Sequence, residues 1–99
     1  MTGTRKAIFI TGGGSGIGRA VAQTFAAQGW FVGIADIDRQ GMDGTAALLP
    51  EGQSSRHLMD VTDRDQWQTA IAAFAEASGG RMDVLFNNAG IGTGGHFPE

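Results

Sequence analysis

Thr11-Gly12-Gly13-Gly14-Ser15-Gly16-Ile17-Gly18 stands between the apolar run Ala7-Ile8-Phe9-Ile10 and a helical pattern of Ile17, Val21 and Phe25. Strand, glycine turn and helix in that order make a cradle for an anion, because the first N–H groups of a helix lack intrahelical partners and carry a partial positive charge. A turn without side-chain bulk lets a phosphate or pyrophosphate reach those donors. Hydrogen-bonding residues recur where later apolar or strand-like stretches end: Asp36 after 31–35, Asp60 at the end of 55–60, and Asn87-Asn88-Ala89-Gly90 after 84–86.

The elements that must position these residues are legible in the patterning. The runs 7–10, 31–35 and 84–86 are continuously apolar, as parallel strands covered on both faces are. A helix over 16–28 ends at Gly29, a left-handed cap position. A second over 39–49 carries Met42, Ala46 and Leu49 on one side, although Gly41 and Gly44 each cost about 1 kcal/mol relative to alanine. The third begins after Thr62 with Asp63 and Asp65 in its first turn, carries a stripe of Trp67, Ile71, Phe74 and Ala75, and ends at Gly79-Gly80. The segment 55–60 is the most polar strand, which suits a sheet edge. Alternating strands and helices with right-handed crossovers predict an α/β fold, part of a doubly wound parallel sheet with strand order 3-2-1-4. Ligands of such sheets bind at the carboxyl ends of the strands, so the residues singled out above line one crevice.

The glycine spacing excludes two relatives. A P-loop needs Gly-Lys-Ser/Thr, but Gly18 is followed by Arg19 and Ala20; G-x-G-x-x-G fails because a start at Gly12 puts Ile17 in the last glycine position. What fits is Gly12-x-x-x-Gly16-x-Gly18. With Thr11 it resembles the cofactor signature of the short-chain dehydrogenase/reductase family. Asp60-Val61 is similar to that family's adenine-side pair, and Asn87-Asn88-Ala89-Gly90 resembles its Asn-Asn-Ala-Gly motif. The resemblance runs from Thr11 to Gly90.

It implies that residues 1–99 are the N-terminal portion of a Rossmann dinucleotide-binding domain, and that the reaction is hydride transfer between a nicotinamide and a carbonyl or secondary alcohol. The cofactor-binding residues it implies are Gly12, Gly14, Ser15, Gly16, Ile17, Gly18, Asp36, Ile37, Asp60, Val61, Asn88, Ala89 and Gly90. Asp36 would accept from the adenosine ribose hydroxyls; the alternative is a cap of the following helix, for which Asp38 is the better candidate. A 2′-phosphate would forfeit charge-assisted bonds of roughly 1.5–3 kcal/mol and meet a like charge, and neither Ser15 nor Ile37 offers a cation, so NAD is expected over NADP. Asp60 either meets the adenine amino group or caps the third helix. Asn87 and Asn88 are expected to brace the last strand, and Thr11 to stabilise the turn by pairing with backbone. Gly44, on the second helix, is expected to be silent towards the cofactor.

The family's acid/base is a tyrosine, assisted by a lysine and a serine. No tyrosine occurs here and Lys6 is the single lysine, so no catalytic residue is assigned. The expectation is the NAD(H)-binding part of a longer enzyme whose substrate loops and homo-oligomer helices lie beyond Glu99. The other reading is a self-standing nucleotide-binding module without chemistry.

Ninety-nine residues, 41% apolar, bound the chain to one folded domain at most. A net charge of -3 with scattered basic residues argues against nucleic acid and anionic membranes as partners. The lack of cysteine excludes disulfides and thiolate metal sites. No signal-peptide core and no apolar run near the roughly 18 residues of a membrane span is present, so a cytoplasmic location is expected. His57 and His96 lack partners at ligand spacing, so no metal site is expected and both histidines are placed at the surface. Trp67 and Phe74 are placed in the core.

Overall fold

Parallel pairing of the apolar runs builds the centre of the molecule, described for residues 5–88 by a computed structural model. In chain order the elements are β1 (Ala7–Thr11), α1 (Gly16–Ala27), β2 (Phe31–Asp36), α2 (Arg39–Ala46), β3 (Ser54–Leu58), α3 (Arg64–Ala77) and β4 (Val84–Asn87). All pairings are parallel and the strand order is β3-β2-β1-β4, as the sequence predicts. The register levels the carboxyl ends: Thr11 lies opposite both Ala35 and Asn87, and Asp36 opposite Leu58.

Side chains alternate across each strand, so the continuous runs feed two cores. Ile8, Ile10, Val32 and Ile34 meet Ala22, Ala26, Met42 and Leu49 on the face covered by α1 and α2. Ala7, Phe9, Phe31 and Ala35 meet Met59, Ala70 and Phe74 on the face covered by α3. Gly33 is part of that second face: a Cβ there would run into the Phe74 ring. Asp63 caps α3 by accepting from Gln66 N–H at 3.1 Å, and Gly79 and Gly80 close it at positive φ.

Three expectations need correction. The second helix stops at Ala46, short of Leu49, because Leu48 and Leu49 donate three residues back, to Thr45 and Ala46, and Pro50 follows; Leu49 still reaches the core. The third strand covers Ser54–Leu58, leaving Met59 and Asp60 beyond the ladder, with Met59 N–H still held by Asp36 C=O at 2.9 Å. His57 is not at the surface. It is 8% exposed, packed against Phe9 and Phe74 at ring separations of 5.6 and 6.0 Å and bonded to Ser55 Oγ at 2.7 Å. Among the described residues no helix is long and apolar enough to cross a membrane.

Candidate functional site

The turn from β1 to α1 reverses with two left-handed glycines, Gly12 at φ 68° and Gly16 at φ 58°, a conformation that costs L-residues with a Cβ roughly 1–2 kcal/mol. Gly18 serves a different need. A Cβ there would collide with the Gly12 carbonyl, so its bareness lets the first turn of α1 sit on the strand end. Among the described residues, none outside the turn's own backbone comes within 4 Å of where a Gly16 Cβ would stand, so that face of the turn opens outward.

The carbonyls of the three consecutive glycines are all engaged. Gly12 C=O accepts from Asn88 Nδ2 at 3.3 Å, Gly13 C=O from the Thr45 hydroxyl at 2.7 Å, and Gly14 C=O from Arg19 Nη2 at 2.7 Å. Gly13 N–H donates to Ala35 C=O at 3.1 Å and Gly14 N–H to Asp36 Oδ2 at 2.9 Å. Ser15 occupies the N-cap of α1 in extended conformation, and its side chain caps no N–H. The N–H groups of Gly16, Ile17 and Gly18 therefore have no partner among the described residues. With its oxygens occupied and these donors free, the turn presents a net attraction for anions.

Asp36, half-buried at the end of β2, is already bonded: Oδ2 to Gly14 N–H and Oδ1 to Asp38 N–H at 3.0 Å. The carboxylate is thus already engaged by the protein's own backbone. Each oxygen keeps one lone-pair direction, since an ionised carboxylate accepts at about four sites. Asp38 holds the N-cap position of α2, but its side chain makes no capping bond. Ile37 and Ile17 are 67% and 65% exposed, large apolar side chains left bare beside the turn and the end of β2.

Asp60 organises the turn before α3. Its Oδ1 accepts from Thr62 N–H at 2.9 Å and from the Thr62 hydroxyl at 2.7 Å, which hold its carboxyl below the ordinary range, and its own N–H donates to Gln66 Oε1 at 2.8 Å. Asp63, not Asp60, caps the helix. Oδ2 of Asp60 has no hydrogen bond among the described residues. The half-buried Val61 is fixed by Trp67 Nε1, which donates to its carbonyl at 2.7 Å.

On β4, Asn87 Oδ1 accepts from Thr11 Oγ1 at 2.8 Å, tying the last strand to the first. The fully buried Thr11 hydroxyl thus has a side-chain partner on the neighbouring strand. Asn88 braces the turn through Gly12, while Ala89, Gly90 and His96 lie outside the described residues. Two residues escaped the sequence reading: Arg19 on α1 and Thr45 on α2, which together grip the glycine turn. Arg19 also donates through Nε to Thr45 Oγ1 at 2.9 Å and through Nη2 to Gly41 C=O at 3.2 Å. A basic residue in the first turn of a helix opposes the dipole, and that oddity was the available signal.

Residues 6–99 match the family model described as short chain dehydrogenase. The chain is 40% identical over 94 residues to meso-2,3-butanediol dehydrogenase of Serratia marcescens, covering 95% of this chain and 37% of that protein. Among solved structures, NAD+-bound xylitol dehydrogenase superposes with a TM-score of 0.81 at 30% identity, covering 87% of this chain and 34% of the other. The 3-ketoacyl-(acyl-carrier-protein) reductase of Brucella melitensis complexed with NADH gives 0.76 at 30% identity over 85% and 33%. The chain spans 33–37% of the length of these three proteins.

Proposed function

The chain belongs to the short-chain dehydrogenase/reductase family, and from that premise we propose that its glycine turn and strand ends hold NAD(H), in preference to NADP(H), for hydride exchange with a carbonyl or secondary alcohol. The observation that carries this reading is the turn itself, with three glycine carbonyls engaged and the N–H groups of Gly16, Ile17 and Gly18 open where a pyrophosphate is to be met. The residues fit the group: Gly16 leaves open space over the helix end, and a Cβ there would intrude on it.

Gly12 and Gly14 shape the turn, and Ser15 and Ile17 border the pyrophosphate. Asp36 uses its remaining lone pairs on the adenosine ribose, and Ile37 and Val61 flank the adenine, whose amino group faces the free Oδ2 of Asp60. Asn88 holds the turn in register with β4, and Ala89 and Gly90 are assigned to the nicotinamide ribose by the family's Asn-Asn-Ala-Gly motif. When bound, the nicotinamide supplies the hydride chemistry; this chain's residues bind and orient it. No tyrosine occurs among the 99 residues, so none of them is assigned to proton transfer. A location in the cytoplasm accords with this chemistry.

Preference for NAD follows from Asp36, whose charge a 2′-phosphate would confront with no cation at Ser15 or Ile37. Calorimetric titration should give NAD at least ~100-fold tighter than NADP, about 2.7 kcal/mol. Equal affinities would remove the preference, and failure to bind either would remove the reading.

A further inference from the structure

Arg19 is the fourth residue of α1, where a cation works against the helix dipole. Its guanidinium is nevertheless held by three oxygens from two elements: Gly14 C=O at 2.7 Å, Gly41 C=O at 3.2 Å and Thr45 Oγ1 at 2.9 Å. Thr45 is fully buried and passes the chain on, donating its hydroxyl proton to Gly13 C=O at 2.7 Å. The contact is close because Gly14 and Gly41 are both bare: a Cβ on Gly41 would stand 2.8 Å from the Gly14 oxygen, and one on Gly14 3.0 Å from the Gly41 carbonyl carbon. A fork-shaped cation can hold several acceptors at once, which a lysine ammonium on its flexible stem cannot reproduce.

We propose that Arg19 and Thr45 are positioning residues for the dinucleotide: Thr45 on α2 holds the Gly13 carbonyl and Arg19 on α1, anchored to α2, holds that of Gly14, and so they keep N–H groups, not oxygens, facing the pyrophosphate. The inference rests on the cofactor reading above. It makes α2 part of the affinity of the site although none of the hydrogen bonds described reaches the ligand. It also gives Gly44 a part, against the expectation that it is silent, because a Cβ on Gly44 would stand 2.9 Å from Arg19 Nη2 and require the guanidinium to shift.

The test compares wild type, Thr45→Val, Thr45→Ser, Arg19→Lys and Gly44→Ala in the whole protein. NAD affinity is read by calorimetry at a temperature where every variant is folded, and melting temperature is read without cofactor. Thr45→Val removes the hydroxyl at nearly constant volume, with its bond to Gly13 C=O and the one it accepts from the Arg19 guanidinium, and should weaken NAD about tenfold, with Arg19→Lys similar. Thr45→Ser, the conservative variant, should restore affinity. Gly44→Ala, which deletes no hydrogen-bonding group, should still weaken NAD severalfold. Variants that melt earlier yet bind NAD as wild type does would show a merely structural brace and overturn the inference, as would equal losses in Thr45→Ser and Thr45→Val. Wild type that binds NAD while the variants are unchanged sinks the inference alone; wild type that binds no NAD sinks the cofactor reading and the inference with it.

Discussion

Replacing Asp36 with asparagine separates the two jobs of its carboxylate. In the structure Oδ2 holds Gly14 N–H at 2.9 Å and Oδ1 holds Asp38 N–H at 3.0 Å. Asparagine keeps one acceptor oxygen and loses the other, so one main-chain bond is lost, worth about 1 kcal/mol. That loss loosens the glycine turn, which both cofactors use, and it cancels in the ratio of their affinities. The ratio isolates charge. NAD loses the charge-assisted part of its ribose bond, about 1 kcal/mol. NADP is relieved of a like-charge contact that reaches about 4 kcal/mol at 4 Å and an effective dielectric of 20, and less for this partly solvated carboxylate. The ratio should therefore fall from at least ~100-fold to below ~10-fold, with NAD weaker and NADP tighter in absolute terms. Calorimetric titrations of both cofactors against wild type and Asp36→Asn measure it. An unchanged ratio with both affinities reduced together would mean that Asp36 is only a brace for Gly14.

Two glycines of the one motif should fail differently. Gly18→Ala sets a Cβ against the Gly12 carbonyl and should cost about 1–3 kcal/mol of stability, seen as a lower melting temperature before any cofactor is added. Gly16→Val strains a left-handed residue by about 1–2 kcal/mol but has open space around it, so the chain should fold and bind NAD more than ~10-fold more weakly. Normal binding by folded Gly16→Val would contradict the cradle. Burial holds the His57 imidazole below its ordinary pKa, so protons favour the unfolded chain. Its contribution to stability is whole above the unfolded value near 6.5 and is lost as pH falls towards the depressed folded value, by up to about 1.4 kcal/mol per pH unit. Denaturant titrations between about pH 7 and 5 should show this slope, and His57→Gln should flatten it; an equal slope in the variant would place its origin elsewhere. The carboxylates of Asp60 and Asp83, depressed by Thr62 and by Arg81, act below that window, from about pH 4 downward.

What the sequence disclosed and what it hid divide along a physical line. Continuous apolar runs in β1, β2 and β4 and the glycine turn report backbone demands that each segment carries in itself, so strand order could be read. The edge strand was harder. Leu58 and Met59 are adjacent, and period-2 alternation can bury only one; the α3 face took Met59 together with His57, leaving Leu58 half exposed. No local pattern announces that a histidine will lie between two phenylalanines from other elements. The Arg19–Thr45 grip was hidden for the same reason, since its bonds join residues 26 and 32 apart through a contact between two bare glycines. The position of Asp36 at the end of β2 could be read from the apolar run before it, but its pairing with Gly14 N–H depends on where the turn folds back.

Amide chemical-shift mapping during titration with NAD tests the central claim most directly, because it reports where a ligand sits without requiring turnover. Saturable shifts should concentrate on Gly14 to Gly18, Asp36, Ile37, Asp60 and Asn88, at the carboxyl ends of the strands. The hollow of about 480 Å³ formed by His57, Leu58, Gln66 and Ala73 beside α3 should stay silent. Shifts confined to that hollow, or none at millimolar NAD, would contradict the account.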